Sequence, residues 1–181
     1  RLNSAVSSGP SAFATVEDDS PSAEPRYRAQ FIVDPSSLTG LSASNGVFVF
    51  SATSAAGQFP IQLAITGDGS GGYLLNYYVT DTTAPFGSDI GSLPLTSSPS
   101  YVEFDLDNGS QSGSPHFSIW VNNNVEASPN FTTSTFDNGQ TPVDTAFMGL
   151  STATPGYFTN FSGVAVGFDQ FDSRRQTFIG Y

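Results

Sequence analysis

The stretch Tyr101–Ser128 constrains the fold more than any other part of this chain, because it contains two strands and their connection in clear form. Every second residue is apolar in Tyr101–Leu106, and His116–Val121 repeats the pattern. A period of two is typical of strands with one buried face. The residues between these runs are rich in Gly, Asn and Ser, which favour turns. The stretch therefore predicts an antiparallel hairpin, followed by a tight turn at Asn122–Asn124.

Similar alternation recurs along most of the chain, and no run has an apolar face with the helical period of 3.6. Many short strands without helices predict an all-β fold, a two-sheet antiparallel β-sandwich of the jelly-roll type with almost no helix. The proline-containing segment Asp81–Ser100 and the polar segment Asn130–Pro142 are predicted to be irregular. Further strands are predicted at Ser11–Glu17, Arg26–Val33, Gly46–Thr53, Phe59–Thr66, Tyr73–Thr80, Val143–Leu150, Gly163–Phe171 and Gln176–Tyr181.

Three motifs resemble a known superfamily. Y-V-E-x-D, followed by S-I-W-V and a turn, resembles the central hairpins of concanavalin A-like, laminin-G-like jelly-roll domains, although the usual Asp-Gly turn is Asn here. E-x-R-Y-R-A-Q-F-x-V-D-P at 24–35 and F-D-S-R-R-Q-T-F-I-G at 171–180 are similar to the second and closing strands of small secreted bacterial proteins of that superfamily. The resemblance implies the jelly-roll architecture but does not imply any particular ligand.

The charge pattern limits the partners. The 181 residues include 16 acidic side chains and five Arg, with no Lys, for a net charge of -11. This balance disfavours nucleic acid and anionic membrane surfaces, which require basic patches. No apolar run is long enough for a membrane span, Cys is absent, and the chain begins with Arg1 rather than Met. We therefore predict a processed protein that is secreted, extracellular or at the cell surface.

One motif suggests catalysis. Glu103, Asp105 and Asp107 look like the E-x-D-x-E strand of laminarinases and lichenases, a resemblance that would make them nucleophile, helper and general acid in turn. The third residue is a shorter acid here, and its backbone lies ~13 Å from that of Glu103 along a strand. Retaining glycosidases hold their carboxyl groups ~5–5.5 Å apart. We therefore predict that the protein is not an enzyme, with a glycosidase as the least favoured function. The only histidine, His116, is predicted to be a surface or paired imidazole.

Acidic loops could also bind metal, since Ca²⁺ prefers oxygen ligands from Asp, Asn and backbone carbonyls. One structural Ca²⁺ is a possible cofactor, although the acids form no contiguous motif. Three Asn-x-Ser/Thr sequons at Asn108, Asn130 and Asn160 are candidate glycosylation sites. The candidate metal ligands are Asp18, Asp19, Asp68, Asp137, Asp169 and Asp172.

Our leading functional prediction is a structural subunit that assembles with itself into an extracellular filament, tube or coat. Soluble β proteins commonly protect sheet edges with Lys, and this chain has none. Residues 1–17 form a predicted arm that adds a strand to a neighbouring subunit, and residues 18–181 form a single jelly-roll domain. The alternative is that the arm pairs with its own sheet. Predicted assembly contacts are Arg1, Leu2, Val6, Phe13 and Val16.

The second hypothesis is a carbohydrate-binding, lectin-like module. Aromatic rings on the faces of a jelly roll could stack on sugar rings. The candidates for this contact with glycans are Tyr77, Trp120 and Tyr157. Strand tyrosines are, however, as well suited to the core of a sandwich.

Overall fold

A computed structural model describes residues 2–5, 14–43, 46–81, 84–151, 165–175 and 177–181. All regular secondary structure in these residues is β-strand, as the alternation predicted. None of them belongs to a helix that could cross a membrane. The strands are β1 (Leu2–Ala5), β2 (Ala14–Asp18), β3 (Arg26–Asp34), β4 (Gly46–Thr53), β5 (Ile61–Gly67), β6 (Tyr73–Asp81), β7 (Ala84–Leu95), β8 (Ser100–Asp107), β9 (His116–Val121), β10 (Phe131–Thr133), β11 (Thr145–Ser151) and β12 (Ala165–Arg174).

The strands form two six-stranded sheets. The front sheet has the order β1-β12-β3-β8-β9-β10, and the back sheet has the order β2-β11-β4-β5-β6-β7. All neighbouring strands are antiparallel. The predicted two-sheet antiparallel sandwich is therefore confirmed.

The core lies between the sheets. Its centre is a cluster of aromatic rings, in which Phe50 from the back sheet packs against Phe31 and Phe104 from the front sheet at centroid distances of 5.9 and 4.9 Å. The inward side chains of the front sheet are those that the period of two placed on one face of β3, β8 and β9. The alternate side chains of these three strands consequently point to the outer face of the front sheet.

Two strands were missed. The three-residue β10 lies in the polar segment Asn130–Pro142, and β7 runs through the segment Asp81–Ser100, which we predicted to be irregular because prolines ordinarily interrupt a sheet. Here Pro94 pairs in register with Leu74 of β6, and β7 has no neighbour on its other side within the sheet order. Proline is tolerated on such an edge strand, since its missing N–H can face away from the ladder.

The described part of the N-terminal segment pairs with its own chain. β1 pairs with β12, with Leu2 opposite Phe168, and β2 pairs with β11, with Val16 opposite Met148. Main-chain hydrogen bonds thus hold a segment that has few apolar side chains to bury. This is the alternative placement rather than a strand added to a neighbour. The other predicted assembly contacts, Arg1, Val6 and Phe13, lie outside the described residues.

The last predicted strand, Gln176–Tyr181, is also wrong. Residues 177–181, which we call the closing segment, form no strand and lie against the outer face of the front sheet. Gly180 has a left-handed φ of 66°, which breaks the extended geometry that alternation implied.

Asp18 connects the two sheets. Its Oδ2 accepts hydrogen bonds from Ser173 Oγ at 2.9 Å and Tyr27 Oη at 3.3 Å, while Ser20 donates to Oδ1. Burial alone would raise the pKa of Asp18, but these hydrogen bonds outweigh it and hold the pKa below its ordinary value. The ionised carboxylate therefore stabilises the contact between β2 in the back sheet and β3 and β12 in the front sheet.

We predict that Asp18→Asn lowers the free energy of unfolding at neutral pH by about 1 kcal/mol, because charged acceptors make the stronger hydrogen bonds. Because the pKa of Asp18 is lower in the folded protein, its carboxylate stabilises the fold at pH values above the ordinary Asp pKa of about 3.9. This stabilisation is lost as the pH falls through the folded-state pKa. The difference from wild type should shrink in urea titrations taken from pH 7 towards pH 3. The exposed neighbour Asp19→Asn is the control, and a pH-independent difference for Asp18→Asn would contradict the assignment.

Candidate functional site

The outer face of β3, β8 and β9 carries polar side chains in cross-strand rows. Arg28 lies in register with Asp105, and Asp105 lies opposite Ser118. The row beside it joins Gln30, Glu103 and Trp120. All six side chains are buried, although they lie on the face turned away from the core. This face therefore has cover of its own.

Arg28 occupies the centre of the face and is 2% exposed. Its guanidinium group reaches three carboxylates: Nη1 lies 3.1 Å from Glu126, Nη2 lies 3.3 Å from Asp105, and Nε lies 3.5 Å from Glu103. The Nε contact lacks hydrogen-bond geometry, so that this buried N–H has no protein acceptor. A buried cation is tolerated only when it is paired, and the flat five-donor guanidinium group suits several carboxylates at once.

Two aromatic rings enclose the same guanidinium group. Its carbon lies 5.0 Å from the ring centroid of Trp120 and 5.3 Å from that of Phe178. The two rings meet edge to face at 5.4 Å, and Trp120 Nε1 donates to the carbonyl of Val125. Both cation–π contacts lie within the ~6 Å range of favourable interaction.

Arg26 completes the charge pairing. It forms a two-pronged contact with Asp105, with Nε and Nη2 at 2.9 and 2.6 Å from the carboxylate oxygens. The hydrogen bond to Asp105 raises the pKa of Arg26. Asp105 therefore bridges Arg26, whose side chain is 36% exposed, and buried Arg28.

The closing segment covers one side of this face. The carboxylate of Glu103 accepts hydrogen bonds from the backbone N–H groups of Ile179 and Gly180 at 2.9 and 3.0 Å. Asn124 holds both backbone groups of Tyr181, accepting from its N–H at 3.0 Å and donating to its carbonyl at 2.7 Å. The ring of Tyr181 stacks on Tyr101 at a centroid distance of 4.2 Å.

The other side of the face is an open groove of about 280 Å³. The exposed imidazole of His116 contacts Ser118 Oγ through Nε2 at 2.8 Å, and Ser118 contacts Thr132 Oγ1 at 2.9 Å. Glu126, 60% exposed, approaches from the loop after β9. The open groove is lined by Arg26, Arg28, Asp105, His116, Ser118, Trp120, Glu126, Pro129 and Thr132.

The three acids of the glucanase-like motif share this face but have different surroundings. Glu103 is engaged by the closing segment and Arg28, and Asp105 by Arg26 and Arg28. Asp107 is half-buried and accepts from the N–H of Gly109 at 2.8 Å. With the closing segment in place, Glu103 has no open approach for a sugar carbon, so the nucleophile role that the resemblance implied does not suit it.

The predicted sugar-stacking aromatics are not brought together. Tyr77 is a core residue, 1% exposed between Phe117 and Phe131, and burial raises its pKa to about 12. Its ring cannot stack on an external ligand, which corrects that part of the prediction. Trp120 lies on the outer face beneath Phe178, and Tyr157 lies outside the described residues.

The predicted calcium ligands are dispersed. Asp18 connects the sheets, Asp68 accepts from two backbone N–H groups within the β5–β6 turn, and Asp172 pairs with Arg174. Asp19 is exposed, and Asp137 and Asp169 each accept from a nearby backbone N–H. No three acidic or histidine side chains form a possible metal site within the described ranges. The structural Ca²⁺ stays a prediction.

The glycosylation candidates also differ. Asn108 is 3% exposed, and its Nδ2 donates to the carbonyl of Gln140 at 2.9 Å, so that this amide is not accessible to a glycan. Asn130 is exposed at the end of the β9–β10 loop and uses its Oδ1 to cap the N–H of Val121. Asn160 lies outside the described residues.

Sequence reasoning missed the cluster around Arg28. Arg174 pairs with Asp172, and Arg175 pairs with Glu24. Arg26 and Arg28 instead pair with β8, because R-x-R on β3 lies beside E-x-D on β8 in an antiparallel register. The sequence did contain a signal for this pairing. One strand has two arginines spaced two residues apart, and another strand has two acids with the same spacing, which suits cross-strand ion pairs.

No protein-family profile and no curated protein matches the sequence. Solved structures do match. An alginate lyase Aly36B mutant in complex with alginate trisaccharide has a TM-score of 0.61 at 12% identity, over 97% of this chain and 88% of that one. A heptameric SAP-like pentraxin from Limulus polyphemus has a TM-score of 0.61 at 11% identity, over 97% and 76%. Alginate lyase A1-II′, of polysaccharide lyase family 7, has a TM-score of 0.53 at 12% identity, over 86% and 64%.

These similarities establish the jelly-roll fold, and they change the functional interpretation. Several structures with this architecture are polysaccharide lyases, so the predictions of a filament subunit and of a protein without enzymatic activity are contradicted. The alternative that we derived from the sequence, carbohydrate binding, agrees better with these neighbours. At 10–12% identity these neighbours show the fold of this chain alone.

We predict that Arg28→Met lowers the free energy of unfolding by about 3–5 kcal/mol, because it leaves buried carboxylates without their central cation. Urea unfolding at neutral pH would measure the change. Arg174→Met is the matched control, since its pair with Asp172 is exposed and should contribute no more than about 1 kcal/mol. Equal losses for the two variants would show that the Arg28 cluster is not a stabilising centre.

Proposed function

We propose that the protein binds a polysaccharide chain in the open groove on the outer face of its front sheet. The observation that carries this proposal is the groove itself, in which charged pairs, hydroxyls and an imidazole converge beside a tryptophan. Its volume of about 280 Å³ is near the lower end for small-ligand pockets. A groove that is open to solvent can hold part of a chain whose remainder extends beyond the protein.

The lining groups suit the hydroxyls of a sugar. Ser118 and Thr132 can each donate or accept, and their contacts with His116 make their proton positions adjustable. Arg26 is fixed by Asp105 but keeps an exposed portion of its donors at the groove. A guanidinium group that is already held in place by a carboxylate can form several hydrogen bonds to neighbouring sugar hydroxyls. Little further side-chain entropy is lost when it does so.

The charge of the groove favours a neutral chain. Its two arginines are balanced by Asp105 and Glu126, and the whole protein has a net charge of -11. A polyanion such as alginate would meet repulsion from the protein as a whole, with no unpaired cation in the lining to offset it. We therefore infer that the ligand is a neutral polysaccharide. The predicted extracellular location suits such a ligand.

We predict that His116→Ala weakens binding of neutral oligosaccharides about fivefold, because one polar contact contributes about 1 kcal/mol. Titration calorimetry with a panel of neutral glucan and mannan oligosaccharides, and with alginate oligosaccharides as the charged comparison, would measure it. Ser70→Ala in the exposed β5–β6 turn of the back sheet is the control and should bind like wild type. Tight binding of alginate alone would overturn the neutral-ligand proposal, and equal affinities for His116→Ala and wild type would place the site elsewhere.

Cleavage of the bound chain is a second candidate, and one observation favours it. The exposed imidazole of His116 is in contact with Ser118, which in turn contacts Thr132. In a hydrolysis, the imidazole could take the proton of a water that attacks the anomeric carbon and return it to the departing glycosidic oxygen, either directly or through these hydroxyls. Imidazole is the side chain best suited to proton transfer near neutral pH. Among the fold neighbours, alginate lyases are enzymes that act on polysaccharides.

We predict that, if cleavage occurs, it depends on His116. Wild-type protein would be incubated with the neutral polymers that it binds, and new reducing ends would be measured. His116→Gln should abolish product formation while changing affinity less than His116→Ala does, because the amide can still hydrogen bond. Activity that persists in His116→Gln would remove this imidazole from any catalytic role.

A further inference from the structure

The closing segment lies beside the open groove on the same face, and Trp120 belongs to both areas. Its ring lines the groove and also meets Phe178. We propose, on the basis of the proposed carbohydrate binding, that the closing segment is an internal competitor. It covers a continuation of the groove, and a longer sugar chain binds by displacing it.

The closing segment is held as a ligand is held, through side chains of the face rather than through a strand ladder. Three consecutive N–H groups, of Ile179, Gly180 and Tyr181, donate to side-chain oxygens of Glu103 and Asn124. The Tyr181 carbonyl accepts from Asn124 as well. The carboxylate can equally accept from sugar hydroxyls, and the carboxamide can both accept from them and donate to them.

Two rings of the face are covered by two rings of the closing segment. Phe178 lies against Trp120 at 5.4 Å, and Tyr181 stacks on Tyr101 at 4.2 Å. Removal of the closing segment would expose Trp120, which lies opposite Glu103 on β9, and Tyr101, which lies two residues before Glu103 on β8. Both stacking surfaces would then adjoin the same polar centre. A sugar chain presents the matching alternation of apolar ring faces and hydroxyls.

The covered area also contains polar atoms that the protein does not satisfy. Arg28 Nε and Gln30 Oε1 are buried without a hydrogen-bond partner, and both residues adjoin Glu103. Buried donors and acceptors are nearly always paired in native structures. One is a donor and the other an acceptor, so a pair of hydroxyl groups would complement both.

The closing segment is suited to displacement. Thr177 and Tyr181 are exposed, Phe178, Ile179 and Gly180 are half-buried, and none of the five residues belongs to a strand. Segments with few buried apolar contacts open locally at low free-energy cost. The covered area binds sugar only in molecules whose closing segment is displaced. The apparent association constant is therefore the intrinsic constant multiplied by the fraction of molecules in that displaced state.

We expect Gly180→Ala to release the closing segment, and this substitution changes no residue that lines the groove. Gly180 has a φ of 66°, and a Cβ at this position would collide with Oδ1 of Asn124. Phe178→Ala removes the ring over Trp120 and serves as a second, independent variant. Thr177→Ala is the matched control, since Thr177 is exposed on the same segment.

Tryptophan fluorescence reports the position of the closing segment directly, because Trp120 is the only tryptophan of the chain and is 3% exposed. We predict a red shift of its emission and stronger quenching by acrylamide in Gly180→Ala and Phe178→Ala, with no change in Thr177→Ala. Cooperative urea unfolding of each variant would establish that it is folded. Unchanged emission in both folded variants would overturn the inference, whether or not the protein binds sugar.

Calorimetry with neutral oligosaccharides of increasing length tests the competition. A tenfold rise in the fraction of molecules with a displaced closing segment should make the longest oligosaccharides bind Gly180→Ala about tenfold more tightly than wild type. The shortest oligosaccharides, which occupy only the open groove, should bind both proteins equally. Wild-type binding that is unchanged by Gly180→Ala at every length would overturn the inference and leave the groove proposal intact. No binding by any protein would overturn the proposed function, and with it the competition.

Discussion

The outer face of the front sheet depends on one buried cation. Arg28 is 2% exposed on the side of the sheet that faces away from the core, where a strand side chain would ordinarily be solvated. The cost of removing a guanidinium group from water is offset by Glu103, Asp105 and Glu126, and by the rings of Trp120 and Phe178. These five partners come from four parts of the chain, so the cation fixes β8, β9, the following loop and the closing segment relative to one another.

The position of the closing segment follows from this cation. Arg28 approaches Glu103 from one side only, and the two carboxylate oxygens still accept the N–H groups of Ile179 and Gly180. Charge-assisted hydrogen bonds to a buried carboxylate are stronger than neutral ones, and this difference favours a segment lying across the face.

Sequence patterns predicted the fold better than the site. The period of two placed β3, β4, β6, β8 and β9 almost to the residue, because one face of each strand must be apolar to reach the core. The pattern failed at β7, where proline is tolerated only because the strand is at an edge, and at the closing segment, whose partners are polar. The site depends on which strands are neighbours: R-x-R and E-x-D are far apart in sequence, and only the β3–β8 register brings them together. Periodicity within a strand carries no information about that register.

A face built in this way must be covered whether or not a ligand is present. Without the closing segment, the rings of Trp120 and Tyr101 would form an apolar patch beside an exposed Glu103, and such patches promote association in a protein without lysine at its sheet edges. The same rings and the same carboxylate are what a sugar chain would bind. The closing segment and a sugar ligand therefore compete for the same interactions. A change that strengthens the hydrogen bonds of Glu103 and Asn124 to the closing segment must weaken the binding of long sugar chains by the same factor.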